Sequence, residues 1–421
     1  VLLLDGISED TYIEKGMLED LSGVLKDTDI LSNIKDAYTK EDGSIYTMPV
    51  KFGIPMIEGN KDIIAGITDL TTEADAAESQ KDSYGKLQFF SDFSIAPSYL
   101  IQGTIDNSIP AWMNEDGTLN ENAVKEYLEQ VNRIWQTQKN AIEETKKAYQ
   151  MGDDWADSDH SGYMDISGSV TSLLAKVDTV AAGGLLSPEG LVSLDSARKV
   201  DPDLDYKLLN GQSENCFYPR SAVGVSAKAS EKEAAEKFVK FLFEEESQRA
   251  SNTEGLAVNS KVYEDMAYWK MGKSSGDTIG SIGASYDTGD GNIKQIEMDE
   301  IIPEDEAIQN IMDLGKTLTV PAKSNQIIRN AVTESGEKYL NDHMVAGLAE
   351  DVIFHHIPDG GLGLVPGLGD DNALSKRKTV CLQYDRHLCG LKILQRLFRV
   401  CKCLISRCRD IVLLHKVLRE C

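Results

Sequence analysis

The feature that most constrains the fold is an alternation of short apolar runs with amphipathic helices. Runs of four to six apolar or β-branched residues are bounded by turn residues: VLLL (1–4), IYTMPV (45–50), KLQFF (86–90), VDTVAA (177–182) and AVGVSA (222–227). Such runs read as strands. Between them lie three segments with helical period. Residues 120–150 set Ala123, Val124, Tyr127, Leu128, Val131, Ile134 and Trp135 on one stripe of a charged helix. In the second, Ser230 and Glu233 read as a capping box before Ala234, Ala235, Phe238, Val239, Leu242 and Phe243. The third runs from Ser324 to Leu340 through Ile327, Ile328, Ala331, Val332 and Tyr339. Strands separated by helices predict an α/β fold with a largely parallel sheet. The Gly- and Ser-rich stretch 273–292 reads as a surface loop, and it contains no phosphate-binding glycine pattern.

The alternation stops near residue 344, and so does the composition. Residues 1–344 hold 31 Lys and Arg against 61 Asp and Glu, while residues 345–421 hold 12 against 8. Cys216 lies in the first part; Cys381, Cys389, Cys401, Cys403, Cys408 and Cys421 lie in the second. This split predicts an atypical basic, Cys-rich tail (345–421), foreign or out of frame, behind an acidic body. The acidic body argues against nucleic acid, whose phosphates select clustered Lys and Arg. No run of 18 apolar residues is present, so no spanning helix is expected.

Catalytic signatures are sparse. The sequence has neither GxSxG nor HExxH, and His160 is the only histidine before His343. The acidic segment 153–165 has the early spacings of a calcium loop but Gly168 where the closing Glu belongs, so it reads as a solvated loop. No catalytic residue, metal or cofactor is expected.

Four stretches together resemble one family. They are VLLLDGISEDTYIEKGMLEDLSGVL (1–25), with Gly16, Leu18, Asp20 and Leu21; GSIYTMPVKFGIPMIEGN (43–60); residues 206–259, in which a strand precedes a helix from Ser230 to Gln248 and a turn from Gly255 to Val258; and VPAKSNQIIRNAVTESGEKYLND (320–342). In order and spacing they resemble the extracellular (family 1-like) solute-binding proteins of bacterial ABC importers, of the carbohydrate type. The resemblance implies an α/β, two-lobe periplasmic-binding-protein-like (type II) fold with hinge-crossing strands. Residues 1–50 are then part of an incomplete first lobe. Residues 51–226 form the second lobe with hinge strands, 227–319 return to the first, and 320–344 give a second-lobe helix. A signal peptide and a lipid anchor are expected upstream of Val1, which places the protein outside the cell or in the periplasm. The implied partners are a small-molecule ligand, favoured as a sugar, and ABC permease membrane subunits, with the protein itself a monomer.

A sugar site needs aromatic platforms and planar polar groups able to make paired hydrogen bonds. Where the resemblance places cleft loops, the ligand-binding candidates are Phe52, Asp92, Phe93, Tyr99, Trp112, Tyr218, Arg220 and Asn325. Trp135 sits in a helical stripe and reads as core. Two other functions remain open on the same sequence: a surface adhesin on this scaffold without transport, and a glycosidase using two carboxylates.

Overall fold

The computed structural model describes residues 1–4, 9–80, 104–112, 114, 120–148, 170–177, 179–249, 255–288 and 292–322. All lie in the first of the chain's two compact units, Val1–Ile357, the second being Pro358–Cys421. The expected strand at 86–90, the acidic segment 153–165, the late helix and the tail lie outside the described residues.

In chain order, the described elements begin with β1 (Leu2–Leu3), α1 (Glu9–Glu14), α2 (Ser32–Tyr38), β2 (Thr47–Asn60), α3 (Lys61–Ile64) and α4 (Leu70–Gln80). A 3-10 turn (Ile109–Trp112), α5 (Glu121–Ala148), α6 (Val170–Ala175), β3 (Ala181–Leu186), α7 (Pro188–Val200), β4 (Leu204–Leu208) and β5 (Cys216–Gly224) follow. Then come α8 (Lys232–Leu242), α9 (Glu245–Arg249), β6 (Leu256–Ala257), α10 (Ser260–Tyr263), α11 (Met266–Trp269), β7 (Thr278–Asp287), β8 (Ile293–Ile301), α12 (Asp305–Thr317) and β9 (Val320–Pro321).

The spine is β2, fourteen residues long and buried at all but two positions. It pairs with β5 through Thr47 to Gly53, with β3 through Ile54 to Gly59, with β4 through Met56 to Asn60, and with β6 at Lys51 and Phe52. Successive strand residues face opposite sides, and the two sides of β2 face different cores. Phe52, Ile54 and Met56 join a first core with Leu191, Val239, Tyr263 and Ile308. Ile57 joins a second core with Leu70, Trp112, Tyr127 and Val131. Neighbouring strands split the same way: Ala182 faces the first core and Ala181 the second. The stripe read along residues 120–150 is the buried face of α5, with Val124, Tyr127, Leu128, Val131, Ile134 and Trp135 all inside.

Three local expectations are corrected. The sheet is not largely parallel: among the described ladders only β5 with β9 runs parallel. Strands β3, β4, β5 and β6 all run opposite to β2. The stretch 273–292 is not a loop throughout, because Thr278–Asp287 pairs with Ile293–Ile301 as a hairpin. Its glycines weaken strand propensity, but the pairing buries Met298 and seats Ile282 and Ile296 on the first core. Tyr286 Oη meets Thr171 Oγ1 at 2.8 Å, and Lys294 Nζ donates to the Ala175 carbonyl at 2.5 Å, which anchors that face on α6. Finally, α8 has Glu231 at its N-cap with no side-chain cap bond, so Ser230 does not close a capping box. An ion pair from Lys232 to Glu19 at 2.6 Å holds that helix start instead.

Candidate functional site

Four of the eight sequence candidates, Asp92, Phe93, Tyr99 and Asn325, lie outside the described residues. The other four separate by which side of the sheet they face. Phe52 is fully buried in the first core, edge-on to Phe217 at 6.2 Å and beside Tyr263 at 5.6 Å. Trp112 is fully buried in the second core against Tyr127, and its Nε1 donates to Gln212 Oε1 at 2.6 Å. Packing accounts for both side chains without a ligand.

Tyr218 is buried as well, but it and the half-buried Arg220 stand on the opposite face. In the β2–β5 ladder Tyr218 lies opposite Gly53 and Arg220 opposite Lys51. Directly opposed residues share a face, so Tyr218, Arg220, Lys51 and Gly53 stand together on the side of β2 away from Phe52. Tyr218 forms a small cluster there with Leu185 of β3 and Ala322 after β9. A Cβ at Gly53 would stand 3.0 Å from Leu185 Cδ1, so glycine lets that side chain close against the strand. Lys51 is buried, and its ammonium donates to the Gln248 carbonyl. Arg220 is half-buried and forms no hydrogen bond or ion pair among the described residues. A guanidinium presents five donors in a fixed fork suited to hydroxyl pairs or a carboxylate. The next residue, Ser221, has φ of 56°, the left-handed region that costs a non-glycine residue about 1–2 kcal/mol. Strain of this kind persists where the surroundings over-determine the backbone. Sequence reading singled out Tyr218 and Arg220 as candidates but had no signal for Ser221, because serine carries no mark of a positive φ.

Cys216 opens the same strand. It is buried, and burial pushes its thiol up to about 12, partly offset by a bond with Ser213. It therefore stays protonated at neutral pH and serves as packing rather than as a nucleophile.

An open cavity of about 520 Å³ lies on the first-core side. Met56, Arg198, Tyr206, Glu304, Asn310 and Leu314 are among its lining residues. Arg198 stands 5.2 Å over the Tyr206 ring and pairs with Asp205 at 3.3 Å. Burial raises the Tyr206 hydroxyl above its ordinary range, with Arg198 acting against it, so the phenol is neutral near pH 7. The cavity contains none of the eight candidates. Both of its cations are engaged, Arg198 by Asp205 and the ring and Lys207 by the Ala65 carbonyl at 3.2 Å, whereas Arg220 has no such partner among the described residues, which makes the Tyr218–Arg220 face the stronger candidate. Among the described residues no group of three or more His, Cys, Asp or Glu is placed to hold a metal, and no helix is long and apolar enough to cross a membrane.

The sequence profile of the family described as bacterial extracellular solute-binding protein matches residues 2–274. Solved structures resemble the chain at low identity. A Streptococcus pneumoniae solute-binding protein in complex with the blood group A-trisaccharide is 15% identical, covering 84% of this chain and 82% of that chain, with a TM-score of 0.45. Maltose-bound MalE3 from T. maritima is 14% identical, covering 85% and 83%, with a TM-score of 0.46. Lmo0181 from Listeria monocytogenes in complex with cycloalternan is 16% identical, covering 84% and 82%, with a TM-score of 0.44. Likeness at these values says nothing about what this chain binds. No curated protein matches the chain.

Proposed function

We propose a function from one premise: the chain belongs to the bacterial extracellular solute-binding proteins. It captures a small solute, favoured as a sugar, outside the cell and delivers it to the membrane permease subunits of an ABC importer, with no chemistry of its own. The family match over residues 2–274 carries this reading. Arg220, half-buried and without a partner among the described residues, supports it, since a planar donor fork suits the paired hydroxyls of a sugar. Residues 1–50 with 227–319, and 51–226 with 320–344, are the two lobes in this proposal. For capture to be coupled to delivery, the solute must bind the closed form better than the open one.

A thermal-melt panel of mono- and oligosaccharides, amino acids, polyamines and oxyanions tests the reading. A ligand at 100 times its dissociation constant adds about 2.7 kcal/mol, enough to raise the midpoint by roughly 2–4 °C in a chain of this size. A shift confined to one sugar class is the expected result. A folded protein that responds to no class in the panel contradicts solute capture, and a shift with amino acids or oxyanions alone contradicts the sugar assignment.

A further inference from the structure

Glu73 lies in the first turn of α4 with no exposed surface, and neither carboxyl oxygen has a hydrogen-bond partner among the described residues. Carboxylates are almost never fully buried unless paired. Around it, Leu70, Ala74 and Ala77 of α4 join Val131, Ile134 and Trp135 of α5 in the second core. The Trp135 indole N–H in that core likewise has no partner among the described residues.

Charges near this layer are committed elsewhere or are of the wrong sign. Asp69, just before α4, is the charged group whose field reaches Glu73, and it is also an acid. From α5, Arg133 is taken by Asp75 at 2.5 Å and Glu78 at 2.8 Å. The Tyr127 hydroxyl on the buried side of α5 meets Thr104 Oγ1 at 2.9 Å. From α3, Lys61 pairs with Asp203 at 3.0 Å, and the exposed Asp62 is a further acid. Among the described residues no cation is placed to neutralise Glu73, and burial of a bare carboxylate is costly enough that the group takes a proton instead.

We infer that Glu73 is a proton-dependent latch between α4 and α5: as a neutral acid it sits in the closed core, and losing its proton loosens that helical layer. Burial, with Asp69 second, pushes its carboxyl up to about 8, from 4.5. In the unfolded chain the group ionises near 4.5, while in the folded chain it holds its proton to about 8. Between those values the folded state binds more protons, so stability falls as pH rises and levels off above about 8. That layer packs against β2 at Ile57.

Denaturant unfolding of the full chain from pH 5 to pH 9 tests the latch, with wild type beside Glu73→Gln. The two are expected to unfold at similar denaturant at pH 5. At pH 8 wild type is expected to unfold at lower denaturant than E73Q. Parallel curves overturn the inference. Hydrogen exchange, corrected for its own pH dependence, is expected to accelerate over residues 70–80 of wild type at pH 9 and not in E73Q. A stability slope without that local acceleration also overturns the latch. Should E73Q fail to fold, wild type with carboxyl-labelled glutamate decides by NMR. One resonance titrating near pH 8 is expected, and titration of all of them in the ordinary range refutes the proposal. None of these readouts needs a ligand.

Discussion

Beside the first core, Gln248 spends its amide on four backbone groups; in the second core, the Glu73 carboxyl has no hydrogen-bond partner among the described residues. Gln248 Nε2 donates to the carbonyls of Val50 and Leu242 at 2.9 and 2.8 Å, and its Oε1 accepts from Val258 and Asn259 at 2.9 and 3.4 Å. Nearby, Trp269 Nε1 donates to the Tyr263 carbonyl at 2.7 Å, and Asn259 Nδ2 to the Phe243 carbonyl at 2.9 Å. The first core is thus fixed by buried polar side chains that each have a partner, which confers directional specificity. The second core rests on apolar packing of α4 against α5 with a surface clamp at Arg133. A scaffold must be rigid where strands are positioned and can yield where a layer opens. The difference assigns those roles to the two sides of one sheet.

Several changes break or sharpen that contrast. Phe52→Ala should cost about 3–5 kcal/mol by opening a cavity in the first core, read as a fall in the denaturation midpoint. A loss of that size fits a core side chain, and a loss near zero would move Phe52 to the ligand face. Gln248→Ala should cost about 3 kcal/mol, because several buried backbone groups lose their partner at once. Near pH 8, Glu73→Leu should instead stabilise by roughly 2–4 kcal/mol, since it removes an ionisable group whose proton affinity is raised by burial, and the gain should shrink toward pH 5. Gly315→Ala should cost roughly 1–3 kcal/mol, because a Cβ there would stand 2.0 Å from the Tyr263 hydroxyl. Arg133→Ala should cost under about 1 kcal/mol, as its partners are largely in water. A larger loss would mean that the clamp, rather than apolar packing, holds the second layer.

Much of the fold was legible where one face of an element meets water. The α5 stripe could be read from its period because its opposite face is charged. The long spine could not. Only 45–50 read as strand, yet β2 continues to Asn60. A strand buried on both sides lacks the period-two pattern that marks a half-buried one. The hairpin was hidden by its glycines, since its stability comes from a partner strand and from α6 and α7 rather than from local propensity. Among the site candidates, Tyr218 and Arg220 were picked by their chemistry. Phe52 is one residue from Lys51 and Gly53, yet it faces the other core, and register decides that rather than residue type. Glu73 was invisible for a similar reason: within TTEADAAESQ an acid looks solvated until α5 is laid over it.

The most direct test of the central claim is calorimetric titration of the solute found by the melting panel into wild type and Arg220→Ala. With the ligand held on the Tyr218–Arg220 face, the variant should fold with an unchanged melting midpoint. Its binding should be roughly 10–100-fold weaker, the loss of a charge-assisted bond of about 1.5–3 kcal/mol. Equal affinity in the two proteins would contradict that placement of the site.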